Sequence, residues 1–238
     1  MLGQKNRLIA LVVLLNGNSM NNNNTDIIKN IQSLVRNNIR NIIISIGVLI
    51  LLLIIIQIYT YINDQNLKKT SINFFNIINN EEDLTINLEN LSNEKNIFSV
   101  LSQLKLIQIN NKNKNYSLSN ELYKKVINSK DLDNIYISTI ATNASYTLIN
   151  ASYSENTNRY LDDILLYISY INDELESYIS IKKELEYLYL ITEIEVNNLN
   201  YKNNNKALEL FETISNSNLI SSSVKERVKK IHEFQLYK

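Results

Sequence analysis

The chain has 238 residues, with 24 basic against 24 acidic side chains, one His, 15 Tyr, three Gly and no Cys, Pro or Trp. Without Cys there are no disulfides, no thiolate catalysis and no Cys-based metal sites, and three Gly at positions 3, 17 and 47 leave no Gly-rich phosphate loop beyond residue 47. The zero net charge hides a gradient of +4 over residues 1–41 and −4 over residues 63–238, so the longer part lacks the basic stripe of a nucleic-acid binder.

Asn and Ile together make up roughly a third of the residues, far above ordinary usage. With abundant Lys and Tyr this is the composition of an AT-rich coding sequence. Runs such as Asn21–Asn24 and Asn203–Asn205 are therefore read as loop drift and not as prion-like tracts.

At the start, Leu8–Leu15 follows Lys5 and Arg7 and resembles the apolar core of a signal peptide, but no small-x-small cleavage site follows it. The preferred alternative takes Met20 as the true start. Either way residues 1–24 are set aside as a disordered leader. From Thr25 to Arg40 the apolar positions Ile27, Ile28, Ile31, Leu34, Val35 and Ile39 recur at steps of three and four among Lys29, Arg36 and Arg40. This predicts a basic amphipathic helix that lies at the cytoplasmic membrane surface or simply continues into the span that follows.

Residues 41–62, NIIISIGVLILLLIIIQIYTYI, hold no charge and no polar face. At about 1.5 Å of rise per residue they cover the ~30 Å hydrocarbon core of a bilayer. The stretch predicts a transmembrane helix whose far end is marked by Tyr59 and Tyr61, since amphipathic rings favour the interface. The positive flank places the N-terminus in the cytoplasm and residues 63–238 outside.

Beyond Asn63 helical patterns succeed one another without a convincing strand pair. They are Leu67–Ile78, carried by Ile72, Phe75 and Ile78 or their neighbours; Leu84–Leu91; and Ile97–Ile109, with Ile97, Val100, Leu101, Leu104 and Ile107 on one face. After a polar break at 110–115 come Tyr116–Ile127 and then a stripe of Ile137, Ile140, Ala141, Ala144, Leu148 and Ala151, small enough for a neighbouring helix to approach closely. Leu161, Ile164, Leu165, Ile168 and Ile171 form the next face. A long helix over Ser177–Leu199 contains Tyr187–Ile191, apolar on all sides and so central. Ala207, Leu208, Leu210, Phe211 and Ile214 come next, and Ser223-Val-Lys-Glu226 has the spacing of a capping box that opens a charged last helix with Val224, Val228 and Ile231 inward.

Helix pairs with short polar breaks in series suggest an all-α solenoid closed by a C-terminal capping helix. In residues 114–126, Tyr116, small Ser119, aromatic Tyr123 and apolar Val126 resemble the second half of a tetratricopeptide repeat; Ala207, Phe211 and Ile214 repeat the spacing. A short leader, one span and a helical-hairpin domain over Ile27–Phe234 then resemble the YfgM-like group, the ancillary subunit of the bacterial SecYEG translocon. The resemblance implies a single-pass inner-membrane protein with residues 63–238 as a periplasmic tetratricopeptide-like domain. Its implied partners are the bilayer, the translocon and a periplasmic chaperone such as the PpiD-like foldase. The other readings are a membrane-anchored sensor ectodomain and a structural envelope tether.

For chemistry the inventory is thin. His232, the only histidine, lies on a charged helix and is read as surface decoration, because no base or nucleophile can be placed beside it. Asp162-Asp163 and Glu81-Glu82-Asp83 diverge by about 100° per residue on a helix and do not converge on one proton or metal. The chain is expected to be no enzyme, with no catalytic residues, cofactor, metal or small-molecule substrate. Of the tyrosines, Tyr116, Tyr123, Tyr146, Tyr153, Tyr160, Tyr167, Tyr170, Tyr178, Tyr187 and Tyr189 are expected mostly in helix packing, with some free for a partner-binding surface.

Overall fold

The computed structural model describes residues 23–80, 83–94, 96–129 and 132–238, and among these there are nine α-helices, one 3₁₀ turn and no strand. The helices are α1 (Asn23–Asn79), α2 (Leu84–Ser92), α3 (Ile97–Lys112), α4 (Tyr116–Ile127), α5 (Asn134–Glu155), α6 (Leu161–Ser169), α7 (Glu176–Val196), α8 (Asn205–Asn216) and α9 (Ser222–Tyr237), with the 3₁₀ turn Tyr201–Asn203 before α8. The expected leader falls almost wholly outside the described residues. For residues 25–40 the backbone is helical, as the periodicity predicts.

The chain divides into two compact units, Met1–Asn66 and Leu67–Lys238. In the first, α1 carries the uncharged stretch. Val48 to Ile58 stand about half exposed, and no residue in the most apolar window is buried. The helix is long and apolar enough to cross a membrane. Towards the end of the uncharged stretch the Thr60 hydroxyl is satisfied within the helix, reaching the Ile56 and Gln57 carbonyls at 3.0 and 2.9 Å. Contrary to expectation there is no break after residue 62: the helix continues to Asn79, because Asn63-Asp-Gln-Asn66 is polar but holds neither Pro nor Gly to stop it.

The second unit begins within α1, and here the inward face falls on Ile78 and on neighbours of the other two expected positions. Phe74, Ile77 and Ile78 are partly buried while Ile72 and Phe75 are exposed. Phe74 sets its ring 5.7 Å from that of Phe98 on α3. Along the rest of the unit each helix packs on the next, from α2 with α3 to α8 with α9; in addition α5 packs on α7 and α7 on α9. The helices α5, α7 and α9 therefore form a row, with α6 set between the first two and α8 between the last two.

Asn does the punctuation that Gly and Pro perform elsewhere. Asn96 and Asn204 cap the starts of α3 and α8 through their side-chain oxygens. Helices α3, α5 and α7 end on left-handed Lys114, Asn156 and Asn198, and Asn115, Thr157 and Leu199 each donate back across a closing turn to Asn110, Ser152 and Ile194, at 2.8, 3.0 and 2.8 Å. This is the Schellman geometry, in which Asn is the residue after Gly best able to accept positive φ. Part of the Asn203–Asn205 run is thus a working cap.

Two apolar cores hold the row together. One gathers Val100, Tyr123, Val126, Ile140, Ala144, Leu148, Ile164, Tyr167 and Leu185 with their neighbours; the other Tyr187, Ile191, Ile194, Tyr201, Ala207, Ile214, Val224 and Val228. Helix α7 feeds both, Leu185 into the first and Tyr187 into the second, which is why its Tyr187–Ile191 segment shows no polar side. On α5 the small-residue stripe is wider than the alanines alone, since Ser138, Ser145 and Ser152 are as buried as Ala141, Ala144 and Ala151. That helix is packed by α4, α6 and α7 together, and small side chains let three neighbours approach at once.

Other expectations also shift along the helices. On α3, Val100, Leu106 and Ile107 are buried but Ile97 and Leu101 face out, and on α6 the inward place expected for Leu165 belongs to Tyr167. The N-cap of α9 is Ser221, whose hydroxyl accepts from Val224 N at 3.4 Å. Ser223 lies inside the first turn, and Glu226 pairs forward with Lys230 instead of reaching back. The inward set Val224, Val228 and Ile231 stands as expected.

Candidate functional site

The row α5, α7, α9 presents a groove of about 480 Å³ whose floor is Tyr153 from α5, Leu188 and Ile191 from α7, and Ile231 and Phe234 from α9. Its edge carries Glu195, Lys230, Gln235 and Lys238. These edge charges are already partnered. Glu195 accepts from Gln235 Nε2 at 2.7 Å and pairs with Lys238, while Lys230 pairs with Glu226 at 2.9 Å. Burial pushes the Glu195 carboxyl up, but the hydrogen bonds from Lys238 and Gln235 outweigh it and hold the group below the usual range. An apolar floor inside a self-neutralised edge suits apolar side chains more than an ion.

Beside the groove the three helices are tied by one carboxylate. Glu184 on α7 is 4% exposed and takes a two-pronged contact from Arg227 on α9, Nε to Oε1 and Nη2 to Oε2 both at 2.6 Å. Tyr146 on α5 donates to Oε2 at 3.3 Å. Fork-to-fork geometry is the strongest arrangement open to a guanidinium and a carboxylate. The Tyr146 phenol is pushed up to about 12, chiefly by burial and then by the charge of Glu184.

A second polar cluster joins α7, the 3₁₀ turn, α8 and α9. Tyr187 and Tyr201 hydroxyls lie 2.9 Å apart, Tyr201 reaches His232 Nδ1 at 2.6 Å, and the imidazole lies flat on Phe211 at 3.7 Å between ring centres. Burial lowers the His232 pKa, against a smaller opposite effect of Glu233. His232 is thus a packing and hydrogen-bonding residue and not surface decoration. The signal was hidden because its partners lie 21 and 31 residues away in sequence, at Phe211 and Tyr201.

A third cluster joins α4 to α6. Tyr167 donates to Asn120 Oδ1 at 2.6 Å, Asn120 Nδ2 donates to Asp163 at 2.5 Å, and Lys124 pairs with Asp163 at 2.6 Å. The adjacent acids diverge as expected, Asp162 facing solvent while Asp163 is engaged. Of Glu81-Glu82-Asp83 the first two lie outside the described residues, and Asp83 is an exposed residue with positive φ before α2. Among the described residues no three His, Asp or Glu side chains come together as a metal-binding group.

The tyrosines divide. Tyr123, Tyr160, Tyr167, Tyr187 and Tyr201 are buried, whereas Tyr153 and Tyr170 are exposed, Tyr153 in the groove. Compared with family models, with curated proteins and with solved structures, the chain matches none of them.

Proposed function

We propose that this protein is a single-pass bacterial inner-membrane protein whose exported, tetratricopeptide-like helical domain binds other proteins, in the manner of the YfgM-like subunit beside the SecYEG channel and a periplasmic chaperone. The observation that carries the reading is the groove along α5, α7 and α9: helices two apart in sequence pack into one row, and that row offers apolar floor residues with every edge charge partnered. Alternate helices lining one face is the arrangement by which helical-hairpin solenoids present a binding surface. The repeat-like positions support it further, since Ser119, Tyr123, Val126, Ala207 and Ile214 are buried and Tyr116 and Phe211 partly so.

In this reading α1 crosses the bilayer, N-terminus inside, as the charge gradient directs. The anchor confines the groove to the membrane surface and raises its effective concentration there, so weak contacts with apolar segments of an exported chain suffice. No step of chemistry is assigned to it.

Capture from gently solubilised membranes tests the proposal. The full chain is expected to retain a translocon or chaperone component, and Phe234→Glu, a change at a 64% exposed groove residue, to release it without unfolding the protein. Recovery of neither class of partner overturns the reading. A tight parallel dimer in solution would favour the sensor alternative instead. Reporters fused after Asn63 and at Lys238 decide the orientation: a cytoplasmic signal at either rules out an exported domain.

A further inference from the structure

The Tyr187, Tyr201 and His232 cluster has a proton count that the rest of the fold does not need. Three polar atoms, the two phenol oxygens and Nδ1, are linked by two hydrogen bonds, at 2.9 and 2.6 Å. Tyr187 is fully buried and Tyr201 is 3% exposed, so the Tyr187 hydroxyl is shut off from water and that of Tyr201 has little access to it. With the imidazole neutral and its proton on Nε2, Tyr187 donates to Tyr201 and Tyr201 donates to Nδ1. Two protons then fill two bonds.

Protonating the ring places a third proton on the same two bonds. If Nδ1–H donates to Tyr201, the Tyr201 hydroxyl hydrogen must turn to Tyr187 or be left over, and in the first case the Tyr187 hydrogen is left over. Either way one buried donor loses its partner, which is the costly half of hydrogen-bond energetics. The ionisable groups facing the imidazole are the phenols of Tyr187 from α7 and Tyr201 from the 3₁₀ turn, and Glu233 from α9 itself; α8 contributes the uncharged ring of Phe211. Glu233 and the aromatic face favour the cation, but they do not remove the surplus proton.

We propose that His232 is a proton-operated latch: neutral, it clamps α9 onto the 3₁₀ turn, α7 and α8; protonated, it loosens α9. Because Ile231 and Phe234 of the same helix form one side of the groove, release changes the groove in mild acid. That consequence rests on the groove being a binding surface; the latch itself does not.

The sole histidine gives one unambiguous signal. In the full chain in detergent micelles, labelled at His, the imidazole is expected to titrate below the ordinary value of about 6.5. Across the window between its midpoint and that value, the opening of α9 amides, measured by hydrogen exchange corrected for intrinsic rate, is expected to rise by up to about tenfold per pH unit as pH falls, the limit for one linked proton. His232→Asn, which keeps an acceptor near Tyr201 and cannot be protonated, is expected to flatten this dependence. Should that variant fail to fold, Tyr201→Phe serves: with the chain of bonds gone the midpoint is expected to move up towards 6.5. A midpoint at or above 6.5 in the unaltered protein overturns the latch, as does α9 exchange that ignores the titration, a variant that retains the pH dependence, or a Tyr201→Phe midpoint that does not move. None of these readouts depends on partner capture, so the latch and the proposed function can fail separately.

Discussion

Replacing Arg227 by Met removes the fork that neutralises Glu184 and leaves most of the surrounding packing in place, because the long methylene stem is preserved. Glu184 would keep only the Tyr146 hydroxyl, at 3.3 Å. Breaking a buried pair from one side costs about 3–5 kcal/mol, since the orphaned charge stays buried. Here the Arg227 side chain is 52% exposed, so water can follow it out and screen what remains, and the expected loss falls to about 2–3 kcal/mol. Glu184→Leu in the same chain removes the charge with its partner, and the double variant is expected within about 1 kcal/mol of the unaltered protein, because a well-packed apolar pair often replaces a buried ion pair at little cost. Urea unfolding of the full chain in micelles, followed by far-UV circular dichroism, gives the three free energies and their coupling. A loss under about 0.5 kcal/mol for Arg227→Met, or a double variant as unstable as the sum of the singles, refutes the claim that the carboxylate ties α5, α7 and α9 together.

Three more outcomes are expected. The raised Tyr146 phenol keeps its proton more tightly when folded, so its contribution to stability is full below about 10, the unfolded value, and is lost as pH rises towards about 12; Tyr146→Phe should remove that part of the alkaline slope, read by urea midpoints against phenolate absorbance. Ala144→Leu forces bulk into a fully buried site of α5 and should cost about 1–3 kcal/mol, whereas Asn143→Leu, one residue along on the exposed side, should change stability by under about 0.5 kcal/mol. Leu51→Lys sets a charge amid the uncharged stretch, at about +2.5 to +3.5 kcal/mol for insertion, and should raise the carbonate-extractable fraction; unchanged membrane retention would count against α1 as the anchor.

Much of the helix content was legible because the helical period survives even in a chain one third Asn and Ile. The positions of α2, α4, α5, α7 and α9 and the inward set Val224/Val228/Ile231 follow from apolar recurrence, and Ser119/Tyr123/Val126 from the small, aromatic, apolar spacing. Misreadings were of single positions: Ile97 and Leu101 face out, and Leu165 and Ser223 stood for Tyr167 and Ser221, two residues away. When adjacent apolar residues sit about 100° apart, periodicity shows that a face exists but not which flank the next helix takes.

Sequence by itself determined the length and charge emptiness of residues 41–62, the helical class of residues 63–238, and the absence of thiol or Gly-loop chemistry, since all of these are properties of residue type and local order. Only the tertiary structure decided that α5, α7 and α9 form one row, that Glu184 and Arg227 meet across 43 residues, and that His232 is held between Phe211 and Tyr201. Each such contact joins residues far apart in the chain. Their chemistry is visible in the sequence, but the partner that gives it meaning is chosen by packing.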